Sequence, residues 1–324
     1  MRRSTVALTC AAAVALTLSA CSSSSDDAAA AASGAGGEET VTVTGTMLGD
    51  VEVPAEPERV LGLWNTGNQL YELGITPVGV LEGEYVEEEY PDDYAELAQI
   101  PTVGTWESID VEAIIELEPD LIVTFDNGQE WDYDALSAIA PTVAFEVVGP
   151  SGVWDAYEDL AFALGKQDRY AELAKGYDDD FAAIAAEHGE ELADVQVMYV
   201  YSYMEGSAYL YTSRALAAPR IQAAGFAYDT SWDEKAEWWG YDLDFELLDE
   251  LSHIDVFFYP ANDDGTAEDE LTQALLDEPA FQALPAVEAG HVYPYRDLFV
   301  YTFAAATRQA DDIAAAAKQY LATR

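Results

Sequence analysis

Between Trp154 and Ile184 the apolar residues recur at helical spacing: Tyr157, Leu160, Ala161 and Leu164, then Tyr170, Leu173, Ala174, Tyr177, Phe181 and Ile184, with one interruption at Gly165. Steps of three and four residues place such side chains on one helix face. From about Asp168 to Glu187 the pattern predicts one helix roughly 30 Å long at 1.5 Å per residue. A rod of that length in mid-chain is long enough to bridge two lobes. The chain therefore reads as lobe, long helix, lobe.

Both flanks carry short strands alternating with short helices. Val41, Val43 and Thr46 with Val51 and Val53 flank Gly49-Asp50 as a hairpin. Arg59–Leu63 reads as a buried strand, Gly67–Leu73 as a helix closed by Gly74, and Thr76–Val80 as a strand. Ile109–Ile115 is helical with Asp110 as its N-cap. Leu121–Phe125 is apolar throughout, as a central parallel strand buried on both faces must be. Tyr133–Ile139 and Thr142–Phe145 add a helix and a strand. After the long helix come strand Val195–Tyr201, helix Arg214–Ala224, helix Phe245–Leu251 and strand Ile254–Tyr259. Helix Leu271–Leu276, an edge strand at His291–Tyr293 and helix Phe303–Leu321 complete the chain. Such alternation implies α/β lobes with mostly parallel sheets. The expected division is a lobe over 41–150, a connecting helix over 151–190 and a lobe over 191–324, with a ligand cleft between the lobes.

The N-terminal residues set the address. Arg2 and Arg3 precede a roughly 15-residue apolar stretch that ends in Leu18-Ser19-Ala20-Cys21, the layout of a secretory signal over 1–20. The apolar run is shorter than the ~20 residues of a membrane span. A Cys directly after the small residues resembles the bacterial lipoprotein signal, which implies acylation of Cys21 and anchoring to the outer face of the cell membrane. Residues 21–40 are small and polar, a flexible tether. The other cysteine, Cys10, lies in the signal, so no disulfide is available to the exported chain.

A net charge of −49 excludes nucleic-acid binding, which needs a basic footprint. It also disfavours polyanionic ligands and tolerates neutral or cationic ones. His188, His253 and His291 lie far apart and offer no metal-ligand cluster. There is no GxSxG elbow, HExxH or Walker A loop. The chain is expected to be a monomeric binding protein with no cofactor and no enzymatic activity.

Several segments, in order, resemble the substrate-binding proteins of ABC importers for ferric siderophores, haem and cobalamin. They are Pro54–Val60, Leu73–Val80, Val103–Trp106 with Ile109–Glu112, Leu117–Val123, Ile139–Val143, Ala163–Lys166 and Phe281–Tyr293. The resemblance covers nearly all of the exported chain and implies two lobes joined by one rigid helix. It implies capture of a metal chelate and delivery to an importer permease. One carboxylate on each lobe would pair with permease arginines, and motif matching places these at Glu112 and Glu246.

For the ligand, the resemblance and the strand ends single out Trp64, Asn65, Trp106 and Asn127 in the first lobe. In the second lobe Tyr209, Tyr211, Arg214, Trp238, Trp239, Tyr295 and Arg296 stand in loop-like stretches, as does Trp232. Aromatic faces suit the organic shell of a chelate, and an arginine suits its chelating oxygens. Arg220 reads as a helix-surface residue and Arg59 as structural. With scarce cations, a neutral or cationic ferric hydroxamate is the favoured ligand. Haem, cobalamin and a role as a module feeding a sensor stay open.

Overall fold

The computed structural model of the chain describes residues 39–126, 128, 131–147, 152–236, 239–296 and 300–324. The signal, Cys21 and the tether as far as residue 38 lie outside the described residues, as do Asn127 and Trp238, and Thr40 already belongs to the first strand. In chain order the first elements are β1 (Thr40–Thr46), β2 (Gly49–Pro54), β3 (Val60–Leu63), α1 (Thr66–Glu72) and α2 (Tyr94–Leu97). Then come β4 (Gly104–Thr105), β5 (Ser108–Ile109), α3 (Val111–Glu116), β6 (Leu121–Asp126), α4 (Tyr133–Ser137) and β7 (Thr142–Glu146). Helices α5 (Gly152–Ala163) and α6 (Gln167–Leu192) lead to β8 (Gln196–Tyr201), β9 (Ser207–Tyr211), α7 (Ala218–Ala223), β10 (Ala227–Tyr228) and β11 (Gly240–Asp244). A 3₁₀ helix (Phe245–Leu251) and β12 (Val256–Pro260) precede α8 (Glu270–Asp277), α9 (Pro279–Gln282), α10 (Pro285–Glu288), β13 (Val292–Tyr295) and α11 (Phe303–Thr323).

By contact the chain divides into two units. One holds the residues up to Gly67 with Thr76–Glu82 and Pro101–Glu146, and the other holds Asn68–Ile75, Gly83–Ile100 and Val147–Arg324. In the first unit β3, β6 and β7 form a parallel sheet with β6 in the middle. All six residues of β6 are buried, which is why that stretch is apolar without alternation. The expected strand Thr76–Val80 is reduced to isolated bridges, Leu61 to Gly79 and Val80 to Thr102. Pro77 has no N–H to give, so this segment follows β3 through Val78 N–H to Val60 O and Gly62 N–H to Gly79 O. The β1–β2 hairpin forms as expected and is tied to β7 by Met47 N–H to Ala144 O at 2.9 Å. Arg59 is structural: Glu58 and Arg59 N–H groups bond Asp120, and its guanidinium bonds Glu118 O and Leu117 O.

The second unit has a sheet in the order β11-β9-β8-β12-β13, with β10 also on β8. Strands β8, β10, β12 and β13 pair in parallel, whereas β9 is antiparallel to β8 and β11. The antiparallel pair corrects the expectation of loops here. The α6 helix runs 26 residues, about 39 Å, longer than the apolar pattern required. The expected helix Arg214–Ala224 shrinks to α7, because Pro219 is tolerated only in a first turn. One sheet face packs Val197, Tyr199 and Phe258 with Phe181, Ile184 and Ile313 of α6 and α11. The other packs Met198, Val200 and Phe257 with Leu248, Leu275 and Phe281.

Segments 68–75 and 83–100 belong to the second unit, although their sequence position puts them early in the chain. Glu72, 7% exposed, explains this. Its carboxylate accepts from Phe303 N–H (3.1 Å), Ala304 N–H (2.7 Å) and Tyr157 O–H (2.9 Å). The Gln69 side-chain amide donates to Tyr301 O at 2.6 Å. Tyr71, Tyr85 and Tyr90 pack edge to face at 5.4–6.3 Å.

Candidate ligand-binding surfaces

In the first unit, β3 and β6 end side by side, Leu63 opposite Thr124. Trp64 and Asn65, the next residues after β3, both have positive φ, 43° and 62°. Two consecutive non-glycine residues in the left-handed region are costly, and such backbone concentrates at functional turns. Thr66 holds the turn, its hydroxyl donating to Leu63 O (2.7 Å) and Val123 O (3.0 Å). Trp64 is buried against Phe125, ring centroids 6.3 Å apart, so its ring is core and the half-buried Asn65 is the more accessible of the two. Asp126, at the end of β6, accepts from Gly128 N–H at 2.7 Å and from the Tyr133 hydroxyl. Burial, then the bond to Asp126, keeps the Tyr133 phenol above its ordinary pKa. Trp106 sits in the turn between β4 and β5 and is 60% exposed, an unusual state for so large an apolar side chain.

The second unit sorts its expected residues differently. Tyr211 and Tyr295 lie in β9 and β13, not in loops, and both are buried; Tyr295 donates to Gln309 at 2.9 Å. Tyr209 is half-buried in β9. Trp239 is half-buried on the core, and its carbonyl accepts from the Thr212 N–H and hydroxyl. Trp232 is buried, with the Lys235 ammonium 3.9 Å over its ring. Arg214 is exposed and donates to Asp233 O and Ala236 O. Arg296 pairs with Asp312 at 2.8 Å and lies 3.6 Å from Asp263. Arg220 corrects the surface expectation: it is 2% exposed, donates to Leu216 O, and lies 5.8 Å from the Trp154 ring.

Glu112 and Glu246 occupy matching local settings. Each is exposed in the first turn of a short helix, two residues after an aspartate at the cap position. Asp110 accepts from Glu112 N–H (3.0 Å) and Ala113 N–H (3.1 Å), whereas Asp244 makes no such bond. An exposed aliphatic residue shares each helix, Ile115 at 53% and Leu247 at 44% exposure.

A family model described as periplasmic binding protein matches residues 65–297, most of the chain. The chain belongs to the periplasmic binding protein family. Within that family it is 26% identical over 281 residues to the probable siderophore-binding lipoprotein YfiY of Bacillus subtilis, covering 84% of this chain and 85% of the relative. It is 26% identical over 254 residues to the Fe(3+)-citrate-binding protein YfmC of the same organism, covering 76% and 75%. A solved structure, the siderophore periplasmic binding protein from the fuscachelin gene cluster of Thermobifida fusca, is similar at TM-score 0.70 and 29% identity. That match covers 82% of this chain and 98% of the other.

For this periplasmic binding protein the residues that sequence reasoning passed over are Tyr201, Tyr203 and Asp242. Tyr201 stands opposite Tyr209, and Tyr209 opposite Asp242, so the three form one row across β8, β9 and β11. The signal was there: Tyr199, Tyr201 and Tyr203, then Tyr209 and Tyr211, alternate with a strand's period of two. Among the described residues no group of three or more His, Cys, Asp or Glu is arranged to hold a metal ion, and no helix is long and apolar enough to cross a membrane.

Proposed function

We propose that this protein captures a ferric siderophore, of hydroxamate type, outside the cell membrane, where a lipid on Cys21 tethers it, and delivers the chelate to an ABC importer. The carrying observation is the likeness, over most of both chains, to proteins named for siderophore binding. The hydroxamate preference is supported by charge. The chain carries 13 basic residues against 62 acidic ones, and the Arg296 guanidinium is engaged by Asp312. A highly anionic ferric catecholate would meet an opposing field. The role is binding and hand-over, without chemistry on the ligand.

Trp106, at 60% exposure, makes tryptophan emission a direct reporter. Titration of the full-length protein in mild detergent with a ferric trihydroxamate should give saturable submicromolar quenching, absent with the iron-free form. A ferric catecholate that binds more tightly at matched salt overturns the hydroxamate assignment. Saturation by haem or cobalamin alone moves the ligand class.

Glu112 and Glu246 are the docking carboxylates in this reading, because charge pairs at an interface set register and partner choice more than raw affinity. Reversing either one, Glu112→Arg or Glu246→Arg, is expected to reduce iron uptake by about tenfold. Chelate affinity of the purified variants should stay unchanged. An uptake rate equal to the parent's for both variants removes the docking role.

A further inference from the structure

We propose that Tyr201, Tyr203, Tyr209 and Asp242 form a seat for a pendant alkylammonium group, which makes the preferred ligand a cationic ferric hydroxamate. The inference rests on the siderophore reading above and narrows it to one charge class.

The seat follows from register. Tyr201, Tyr209 and Asp242 are direct neighbours across three strands, so their side chains leave the same sheet face. Tyr203, just beyond β8, joins them through its hydroxyl, which donates to Asp242 at 2.8 Å. The three rings lie 5.2–6.1 Å apart and are inclined by 44–72°, so they pack on one another as a single aromatic cluster beside Asp242. Gly240 fixes the arrangement. A Cβ there would stand 2.3 Å from Tyr209 Cε1 and 2.4 Å from Cζ, so the phenol lies over the space that a side chain would fill.

The seat is open and anionic. Tyr203 is 50% exposed, Tyr201 and Tyr209 are half-buried, and Asp242 is exposed. Among the described residues no lysine or arginine forms an ion pair with Asp242. The bond to Asp242 pushes the Tyr203 phenol up to about 12, and burial followed by the same carboxylate raises Tyr209. The rings therefore stay neutral around neutral pH. Phenol faces attract an ammonium through their quadrupole, and a carboxylate beside them accepts its charge-assisted hydrogen bond. A neutral chelate gains only the ring contact.

The test compares two probes with one ferric core: ferrioxamine B, which carries a pendant primary ammonium, and its N-acetyl derivative, which is neutral. Binding to the full-length protein should favour the cation by about tenfold. Asp242→Asn should bring the ratio close to one by weakening the cationic chelate far more than the acetylated one. Tyr209→Leu should lower the ratio as well, and Tyr209→Phe, which keeps the ring, should preserve it. Equal affinities in the parent protein overturn the seat. A ratio that survives Asp242→Asn also overturns it, because the whole-chain field of −49 then accounts for the preference. Binding of neither probe overturns the hydroxamate assignment on which the seat rests, a distinct outcome.

Discussion

Glu72→Ala is expected to destabilise the protein by about 4 kcal/mol, measured by urea denaturation at neutral pH. The carboxylate gathers three donors: the first N–H groups of α11, at Phe303 and Ala304, and the Tyr157 hydroxyl. The alanine variant leaves the two helix N–H groups without their acceptor, and Tyr157 keeps only its longer bond to Gln69 O at 3.3 Å; each orphaned donor costs about 1–3 kcal/mol. It also removes the anchor that fixes the end of α1 to α11. Glu72→Gln, which keeps one acceptor oxygen, is expected to cost about 1–2 kcal/mol.

The pH dependence separates charge from packing. Burial raises the Glu72 pKa, and the hydrogen bonds from Ala304, Phe303 and Tyr157 only partly oppose that. A carboxyl whose folded pKa lies above its unfolded value binds its proton more tightly in the folded state. Its contribution is therefore most favourable at low pH and declines as pH rises through the unfolded value, about 4.3, toward the folded one. Against Glu72→Gln, the parent should lose stability over that window. A flat difference across it would mean that the Glu72 pKa is the same folded and unfolded.

Gly225→Ala is the second large effect, an expected loss of about 3 kcal/mol. Gly225 has φ +106°, which side chains rarely adopt, and an added Cβ would stand 2.8 Å from the Gly189 Cα of α6. That obstacle is backbone, so the helix itself has to move. Gly189→Ala is the matched control. Its Cβ would meet only the Ala185 Cβ at 3.8 Å, and alanine is the better helix former by up to about 1 kcal/mol. Thermal melts should show Gly225→Ala falling steeply while Gly189→Ala holds or rises. Similar melting of both variants would mean that the close approach of α7's end to α6 is not what stabilises this region.

What could be read beforehand was local. Helix α6 announced itself by spacing, β6 by unbroken apolarity, and Asp110 by its place before an apolar-periodic run; it does accept two first-turn N–H groups. What escaped depended on distant neighbours. Tyr209 and Tyr211 read as loop aromatics because their two-residue spacing is a short run, and pairing with β8 and β11 on either side is what makes β9 a strand. Arg220 read as a surface residue because Trp154, whose ring lies 5.8 Å from its guanidinium, stands far away in sequence. Of the expected ligand residues, Trp106 stands exposed, whereas Tyr211 and Tyr295 are interior. Sequence context alone does not separate an aromatic ring that meets a ligand from one that fills a core.

The bond between Glu72 and Ala304 joins residues 232 positions apart. The second unit is likewise assembled from three separate stretches of chain. Contacts of such range form slowly, since the intervening chain has to be ordered before they are gained. Until α11 is in place, the Glu72 carboxylate has neither of its backbone donors. The second unit is therefore closed only when the final helix joins a segment made early in the chain.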